Sequence, residues 1–507
     1  MQESSTHPTH PGRKALLVIT GAVLLYTALF FFFAMMRAKA SSYGDSDLGI
    51  FGQAFHTTLF CGEIFYNTFE GGSHFMFHNS PVFFLIVPLY ALHPGIYTLL
   101  FIMTCAIASG AYPVYFIARE KINEKGAVIF ALLYLLYHPL HGVNYCQFHE
   151  LAFTITPLLW SYYFFMKRSY VPFWICCILA MLCKEEISIT TAAYGIYLLY
   201  CSLVRERLSP DRAQRKAIAV NGAVLVAVSF LYLYLSLHVI IPHFKHGDYP
   251  FVSERYGNLG TTLSGAALHL LLNPQLIFKA FWDDVARVHY IVELLLPLAF
   301  LSLWELPVLL IALPNLFINI MSTYSTMYLT GSRYPSVLIP FIFISAILGA
   351  HRLISRKPSV PESRRTAKIL AAPVILTVLC AFFINPSPLR LHVQICPPWL
   401  VFKYPRMTAH QRMILSLASQ FPRDASIATQ LGIYHHLCGR KEVYACYHEG
   451  VDYIFIDRSS RWYTEGAEWK RFLPGLAESG AYELIFSMDY LLIYRRKDLP
   501  EAVHFKI

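Results

Sequence analysis

Long runs of apolar residues alternate with short polar segments from residue 15 to residue 384. An apolar run of about 20 residues spans a bilayer as an α-helix, and shorter runs suffice when Tyr, His and Trp at the interface extend them. The pattern predicts about eleven transmembrane helices, at residues 15–36, 95–118, 126–140, 151–166, 171–183, 187–204, 217–241, 289–303, 306–321, 336–353 and 369–384. We therefore expect a mainly α-helical, polytopic membrane protein.

The apolar run at residues 81–92 is short for a transmembrane span. If it does not cross the membrane, the later basic clusters fall on the same side as Arg13 and Lys14. Lys and Arg are enriched in cytoplasmic loops, so this arrangement places the N-terminus in the cytoplasm. We therefore interpret residues 81–92 as a re-entrant element in the first outer loop of a cell-membrane protein.

The chain after residue 384 has a different pattern. Its apolar segments are short, and β-type stretches at 426–428, 453–456, 482–486 and 491–494 alternate with helical ones at 411–420 and 472–479. This alternation is typical of a small α/β layer. We predict a transmembrane module at residues 1–384 and an extracytoplasmic α/β domain at residues 385–507.

The composition supports this membrane assignment and limits the kinds of partner that the protein is expected to bind. Hydrophobic residues make up 56% of the chain and charged residues 14%, and the mean hydropathy is +0.46, which excludes an ordinary soluble protein. The net charge of +10 comes from Lys and Arg spread along the chain rather than from one basic tract. Such a distribution does not predict nucleic-acid binding.

Carboxylates on the predicted outer side are the first candidates for chemistry. Asp45 and Asp47 follow the first span, and Glu150 lies in the loop after the third. Ionisable groups near the membrane are costly to desolvate unless they are paired or used in function. Asp45 and Asp47 could equally begin a helix as its capping and first-turn acids, and their spacing leaves both interpretations open.

Histidines also concentrate on this side. His74, His78, His138, His141 and His149 are all predicted on the outer face. Anchoring at lipid head groups explains a single interfacial His, and it is the preferred interpretation of His74, His138 and His141. With a neighbouring carboxylate, imidazoles can instead bind a divalent metal or hydrogen-bond a phosphate.

Two further positions bring cations to the outer side. Lys184, Glu185 and Glu186 interrupt a long apolar stretch, and Arg333 lies in the outer loop before the tenth span. The Lys beside two carboxylates could be a purely structural turn or could face a phosphate. The planar guanidinium of Arg333 suits a lipid phosphate.

These motifs resemble the GT-C type of membrane glycosyltransferase, which includes protein O-mannosyltransferases and oligosaccharyltransferase catalytic subunits. More closely, the chain is similar to a prokaryotic family of polytopic membrane proteins, defined as a domain of unknown function and placed near the GT-C enzymes. The matching segments lie at residues 47–53, 78–81, 87–90, 148–149, 184–186 and 421–426, with His436, Leu437 and Arg440. The resemblance covers most of the chain.

The resemblance implies roles for these residues. It places Asp47 where GT-C enzymes have their catalytic acid, and His149 and Glu150 where oligosaccharyltransferases have metal-binding acids. A divalent metal, Mg or Mn, held by Asp47, His149 and Glu150 is therefore an open alternative, because a His here replaces one acid. Glu185 and Gln53 are further members of the matched motifs.

We expect a membrane glycosyltransferase, transferring a hexosyl or pentosyl group from a polyprenyl-phosphate donor to a glycan or protein acceptor at the outer face. Asp47 would act as general base, with Asp45 or Glu150 as substitutes. The donor phosphate would be bound by His78, His149, Lys184 and Arg333. A transporter or flippase for a lipid-linked glycan or small molecule is the main alternative, and a binding or assembly protein is the second.

Overall fold

The fold is known from a computed structural model. It describes residues 12–43, 46–205, 211–245, 255–256, 259–260, 263–356, 361–384, 387–389, 405–464, 467–478, 480–499 and 505–506. Residues up to 384 are mainly helical, as the apolar runs predict. Helices satisfy their backbone hydrogen bonds internally, which is required where no water is present.

The helices of this part differ widely in length. They are α1 (Arg13–Lys39), α2 (Asp47–Phe60), α3 (Val82–Leu92), α4 (Ile96–Ser109), α5 (Ala111–Lys121), α6 (Glu124–Leu135), α7 (His138–Cys146), α8 (Ile155–Met166), α9 (Tyr170–Met181), α10 (Ile187–Tyr200), α11 (Arg212–Leu235), α12 (Ile241–Phe244), α13 (Leu263–Leu272), α14 (Gln275–Asp283), α15 (Ala286–Leu295), α16 (Leu306–Leu309), α17 (Leu313–Ile320), α18 (Ile339–Ser355) and α19 (Glu362–Phe383). A short hairpin, β1 (Tyr66–Asn67) and β2 (Gly72–Ser73), follows α2.

Several of these helical segments are long and apolar enough to cross a membrane. In the described part of the chain there are six: Arg13–Lys39, Ile96–Lys121, Ile187–Val204, Arg212–Phe244, Leu301–Ile320 and Glu362–Phe383. The bent pair α6 and α7 would make a seventh, and Val82–Leu92, Tyr170–Met181 and Ile339–Ser355 are shorter apolar helices. The helical membrane architecture is confirmed, and the number of eleven crossings stays a prediction.

Helix α3 corresponds to the run interpreted as re-entrant. Its 11 residues extend about 16 Å, roughly half of the 30 Å hydrocarbon core. The turn that follows contains Gly95 at a φ of 150°, a conformation that favours glycine, and α4 begins directly after it. The length and the sharp turn agree with an element that enters and returns, which stays a prediction.

The C-terminal part forms a small α/β unit, as its pattern predicts. It contains α20 (Ala409–Ala418), β3 (Ile427–Ala428), α21 (Leu431–Leu437), β4 (Val443–Tyr444), β5 (Tyr453–Asp457), α22 (Arg461–Thr464), α23 (Ala467–Glu478), β6 (Tyr482–Met488) and β7 (Leu491–Arg496). The strand order is β4-β3-β5-β7-β6. Strands β3, β4 and β5 are parallel, whereas β7 runs antiparallel to both β5 and β6.

Helices cover both faces of this sheet. Ile414 of α20 and Tyr434 of α21 pack with Phe455 on one face, and Trp469 and Leu473 of α23 pack with Ile454 on the other. The alternation of inward side chains along β5 accounts for this, because successive residues of a strand point to opposite faces. The position of the domain boundary at residue 385 stays a prediction and lies outside the described residues.

Helix α2 lies between the membrane part and this C-terminal unit. Phe51 and Phe55 belong to the membrane core, whereas Ile50 belongs to the core around α21. A Cβ atom at Gly49 would overlap the ring of Tyr434, and one at Gly52 would overlap Sγ of Cys438. The two glycines therefore let α21 approach closely, and this packing holds the helix that begins with Asp47.

Candidate functional site

Asp47 is the first residue of α2, and it contacts a residue from the far side of the sequence. Nη1 of Arg333 lies 2.5 Å from Oδ2 of Asp47. Arg333 immediately precedes the 3-10 turn Tyr334–Val337, and its guanidinium stands 5.2 Å from the ring centre of Tyr334. A hydrogen bond between a guanidinium and a carboxylate is stronger than one between neutral groups, and the N-terminus of α2 also favours the negative charge of Asp47.

The loop after α7 is attached to the same helix end. Gln147 accepts a hydrogen bond from the backbone N–H of Leu48 at 2.8 Å. The first N–H groups of a helix have no partner within the helix, so a side-chain acceptor stabilises its start. Gln147 is two residues before His149, and it therefore fixes the His149 loop against the helix that carries Asp47. Local sequence pattern does not reveal this contact.

His149, Glu150 and Lys184 form a buried charged cluster. Nδ1 of His149 lies 2.7 Å from Oε2 of Glu150, and Nζ of Lys184 lies 3.9 Å from the other oxygen of Glu150. Nζ of Lys184 is also 3.4 Å from Oε2 of Glu186. All three members of the cluster are buried. Charges in such a place are retained only when they compensate one another.

The protonation of the cluster follows from burial and from these contacts. Burial alone would raise the pKa of Glu150, but contact with His149 and the charge of Lys184 hold it well below its usual range. Burial would lower the pKa of Lys184, yet Glu186 and Glu150 raise it. Burial and the nearby charge of Arg333 lower the pKa of His149, so its ring is neutral at neutral pH.

One oxygen of Glu150 has unused hydrogen-bonding capacity. Oε1 has no hydrogen-bond partner among the described residues, since Nζ of Lys184 is 3.9 Å away, although the side chain is completely buried. Buried acceptors normally have a partner, which is frequently an ordered water or a ligand. The site can therefore receive a group that donates a hydrogen bond, such as a hydroxyl.

His78 and Glu185 extend the cluster toward α3. Nδ1 of His78 lies 3.0 Å from Oε1 of Glu185, and the backbone N–H of Asn79 donates to Oε2 of the same carboxylate at 2.9 Å. Burial and the charge of Lys184 lower the pKa of His78. Glu185 thus connects the loop before α3 to the turn between α9 and α10.

A further His and carboxylate pair lies beside His78. Nδ1 of His74 is 3.3 Å from both oxygens of Glu70, and the rings of His74 and His78 are 5.7 Å apart. Interfacial anchoring was the preferred interpretation of His74, and it is wrong, because this ring is buried. Glu70 was not predicted, although its position four residues before a His is a recognisable signal.

The same correction applies to His138 and His141. Both rings are completely buried, and His141 contacts Oγ of Ser387 at 2.9 Å and the carbonyl of Leu135 at 2.7 Å. Anchoring at lipid head groups requires a ring at the membrane boundary. These two side chains instead pack inside the protein, on α7, whose axis is bent by 42° from that of α6.

Gln53 does not join the cluster. Gln53 is buried against the C-terminal unit, where it donates to the carbonyl of Lys441 at 2.7 Å and accepts from the hydroxyl of Tyr434 at 2.6 Å. Its contacts attach α2 to the C-terminal unit. Asp45 lies outside the described residues.

The contacts of Asp47, His149 and Glu150 bear on the predicted metal site. Within the described ranges, no group of three or more His, Cys, Asp or Glu side chains is arranged to hold a metal ion. Asp47 is bound to Arg333, and Glu150 lies against Lys184. A cation beside each carboxylate does not suit a metal ligand set.

The chain matches one family over most of its length, at residues 41–487. The chain belongs to the family described as predicted membrane protein (DUF2079). This match confirms the resemblance to a family of polytopic membrane proteins that the sequence motifs indicate. None of the curated proteins matches the chain significantly.

Solved structures similar to this DUF2079 protein include ArnT from Cupriavidus metallidurans bound to undecaprenyl phosphate. The TM-score is 0.52 at 12% identity, over 94% of this chain and 98% of ArnT. The oligosaccharyltransferase of Archaeoglobus fulgidus tethered to an acceptor peptide gives 0.45 at 12% identity, over 91% of this chain and 72% of that one. The fold shared with ArnT agrees with the GT-C resemblance.

Proposed function

We propose that this protein transfers a sugar from a polyprenyl-phosphate-linked donor to an acceptor at the outer face of the membrane, with Asp47 as the general base. The observation that carries the proposal is the pair of Asp47 and Arg333 beside the buried cluster of His149, Glu150 and Lys184. Similarity in fold to ArnT, which was crystallised with undecaprenyl phosphate, supports a lipid-linked donor.

The reaction exchanges one bond at the anomeric carbon of the sugar. The bond between this carbon and the phosphate oxygen breaks, and its electron pair leaves with the polyprenyl phosphate. The acceptor oxygen forms the new bond to the anomeric carbon, and its proton passes to the carboxylate of Asp47. Positive charge develops on the sugar during this step, and a nearby carboxylate stabilises it.

Arg333 has two roles in this proposal. Before the donor binds, it holds the carboxylate of Asp47 in place. A donor phosphate offers the guanidinium a second anion, and guanidinium groups bind phosphate oxygens in pairs. When Arg333 shares its hydrogen bonds with the phosphate, the carboxylate of Asp47 becomes a better proton acceptor. Donor binding thereby activates the base.

Lys184, His78 and His149 serve the leaving phosphate. Lys184 is held in the charged form by its carboxylate neighbours. Nδ1 of His78 and Nδ1 of His149 each face a carboxylate, so either ring donates to the phosphate from Nε2 only when that nitrogen is protonated as well. A phosphate leaves readily as an anion, so cations and hydrogen-bond donors suffice without a carboxylic acid. Contact with His149 and the charge of Lys184 lower the pKa of Glu150, so this carboxylate stays ionised beside Lys184.

The proposal is tested by following sugar transfer from a panel of labelled polyprenyl-phosphate hexoses and pentoses. Membranes enriched in the protein are compared with membranes that lack it, and label is followed into products free of the lipid. We expect transfer from at least one donor in the enriched membranes. Absence of transfer from every donor, together with movement of labelled lipid across vesicle membranes, would favour the transporter alternative instead.

A further inference from the structure

Two helices of the outer loop expose large apolar side chains. In α13 and α14, Leu271 is 79% exposed, Leu272 71%, Phe278 77% and Trp282 92%. Neither helix is among the described segments long enough to span a membrane. Exposed apolar patches of this kind mark a surface that has a partner.

The opposite side of α14 is packed against the protein. Leu276, Ile277, Ala280 and Phe281 contact the membrane core. The helix is therefore seated on the protein by one apolar side, and Phe278 and Trp282, one turn apart, project from another. Lys279 and Asp283 are exposed beside them, which gives the surface a polar border.

The exposed side chains continue into the helix that follows. Val285, directly before α15, and Val288 and Val292 within it are also exposed. Residues 289–303 form one of the apolar runs predicted to cross the membrane, so Val292 faces lipid in that arrangement, and Val285 and Val288 lead up to it. The surface on α13 and α14 is thus continuous with a surface in contact with lipid, and the bilayer is its occupant.

The same segment is bound to the loop that carries Arg333. Tyr328 donates to Oδ2 of Asp284 at 2.8 Å, and the guanidinium of Arg287 stands 5.0 Å from the ring centre of Tyr328. Arg287 also donates to the carbonyl of Ser322 at 3.3 Å. These contacts join the segment after α14 to the loop that begins after α17 and ends at Arg333. A shift of α14 would therefore move this loop.

We propose that Leu271, Leu272, Phe278 and Trp282 form a membrane-inserted surface that lies in the outer leaflet and places the Arg333 loop at the depth of lipid phosphates. Amphipathic helices with Trp, Phe and Leu on one side bind the membrane interface in this way. The placement of the Arg333 loop at the depth of lipid phosphates rests on the proposed function. The insertion of the four side chains into the membrane does not.

Insertion is measured by the quenching of tryptophan fluorescence with brominated phosphatidylcholine in vesicles that contain the full-length protein. The chain has seven Trp residues, so a difference between variants is needed. We expect Trp282→Phe to lose a measurable share of the quenched emission, and Trp469→Phe, which removes a buried Trp of the C-terminal unit, to lose none of it. Equal quenching in Trp282→Phe and wild type would overturn the insertion.

Delivery of the lipid substrate is measured separately by kinetics. We expect Leu271→Ser and Phe278→Ser to raise the KM for a long-chain polyprenyl-phosphate sugar several-fold, with little change for a water-soluble short-chain donor. Leu484→Ser, at an exposed position of β6, is the matched control and should change neither. An equal effect on both donors, or no effect on either, would overturn the delivery role. Lack of turnover by the wild type would contradict the proposed function, and the quenching result would stand.

Discussion

Arg333 and Asp47 are in contact at 2.5 Å although 286 positions separate them in the chain. The contact joins the first helix after α1 to the loop before α18, and it lies beside the cluster of His149, Glu150 and Lys184. A carboxylate bound by a guanidinium keeps a fixed position and has a reduced affinity for protons. In the proposed reaction, a phosphate that competes for Arg333 is what releases the base.

Substitution of Arg333 should therefore affect donor binding and turnover together. A hydrogen bond to a charged group contributes about 1.5 to 3 kcal/mol, so Arg333→Gln should lower kcat/KM by about 10- to 100-fold. Arg333→Lys keeps the charge but loses the planar fork and should recover part of the loss. The check is steady-state transfer kinetics, with Arg364→Gln at an exposed position as the control. A loss in kcat with an unchanged KM for the donor would contradict phosphate binding by Arg333.

Removal of Lys184 should destabilise the fold. Lys184→Met takes the ammonium away from the buried, charged carboxylate of Glu150, which keeps its contact with the neutral ring of His149, and breaking such a buried ion pair costs about 3 to 5 kcal/mol. The double variant with Glu150→Gln should recover much of this stability. Thermal unfolding in detergent measures both. Lys167→Met, which removes an exposed pair with Glu120, is the control and should cost about 1 kcal/mol or less. Equal losses of thermal stability in Lys184→Met and Lys167→Met would contradict a stabilising role for the buried ion pair of Lys184 and Glu150.

A methyl group at Gly49 should disturb the packing of the C-terminal unit against α2. In Gly49→Ala the new Cβ would overlap the ring of Tyr434, which must shift. At Gly21 in α1, no atom lies within 4 Å of the corresponding position, and Gly21→Ala should be neutral or slightly stabilising. Limited proteolysis after residue 384 and the apparent Tm report the difference. A Gly49→Ala protein as stable as Gly21→Ala would show that the close approach of α21 is not required.

His410 should make the stability of the C-terminal unit depend on pH. Its Nδ1 lies 2.8 Å from Oδ2 of Asp489, and its Nε2 lies 3.1 Å from Oδ2 of Asp457. Burial lowers the pKa of His410, but the two carboxylates outweigh this and raise it above its usual 6.5. A raised pKa stabilises the fold fully below the unfolded value, and the contribution is lost as pH rises through the folded value.

The expected result is a Tm difference between wild type and His410→Gln that is largest in mildly acidic solution and shrinks as the pH rises above about 6.5. The neutral glutamine does not titrate, so its Tm should lack this dependence. Parallel Tm curves for the two proteins between mildly acidic and alkaline pH would contradict the contribution of the His410 pairs.

The apolar pattern predicted the helical architecture well, because each apolar run must form backbone hydrogen bonds within itself. The β-type alternation likewise predicted β3, β5, β6 and β7. The turn after α3 and the bend between α6 and α7 depend on tertiary packing rather than on hydropathy. The number of transmembrane crossings therefore cannot be counted from the apolar runs of the sequence alone.

Residue chemistry indicated Asp47, His149, Lys184 and Arg333, but not which groups would meet. Asp47 and Arg333 come together through the packing of distant helices, for which a single sequence has no local signal. Gln53 lies in the same short motif as Asp47. It binds Tyr434, since the motif serves both the helix start and the contact with α21.

In the proposed reaction, Asp47 takes the proton of the acceptor. The rate of sugar transfer in Asp47→Asn tests this role, because asparagine keeps the shape of the side chain and removes its basicity. Asp498→Asn, at an exposed position of the C-terminal unit, makes the same chemical change outside the site and serves as the control. We expect a loss of at least about 10² in turnover for Asp47→Asn and wild-type turnover for Asp498→Asn. Turnover of Asp47→Asn within a few-fold of wild type would contradict this role of Asp47.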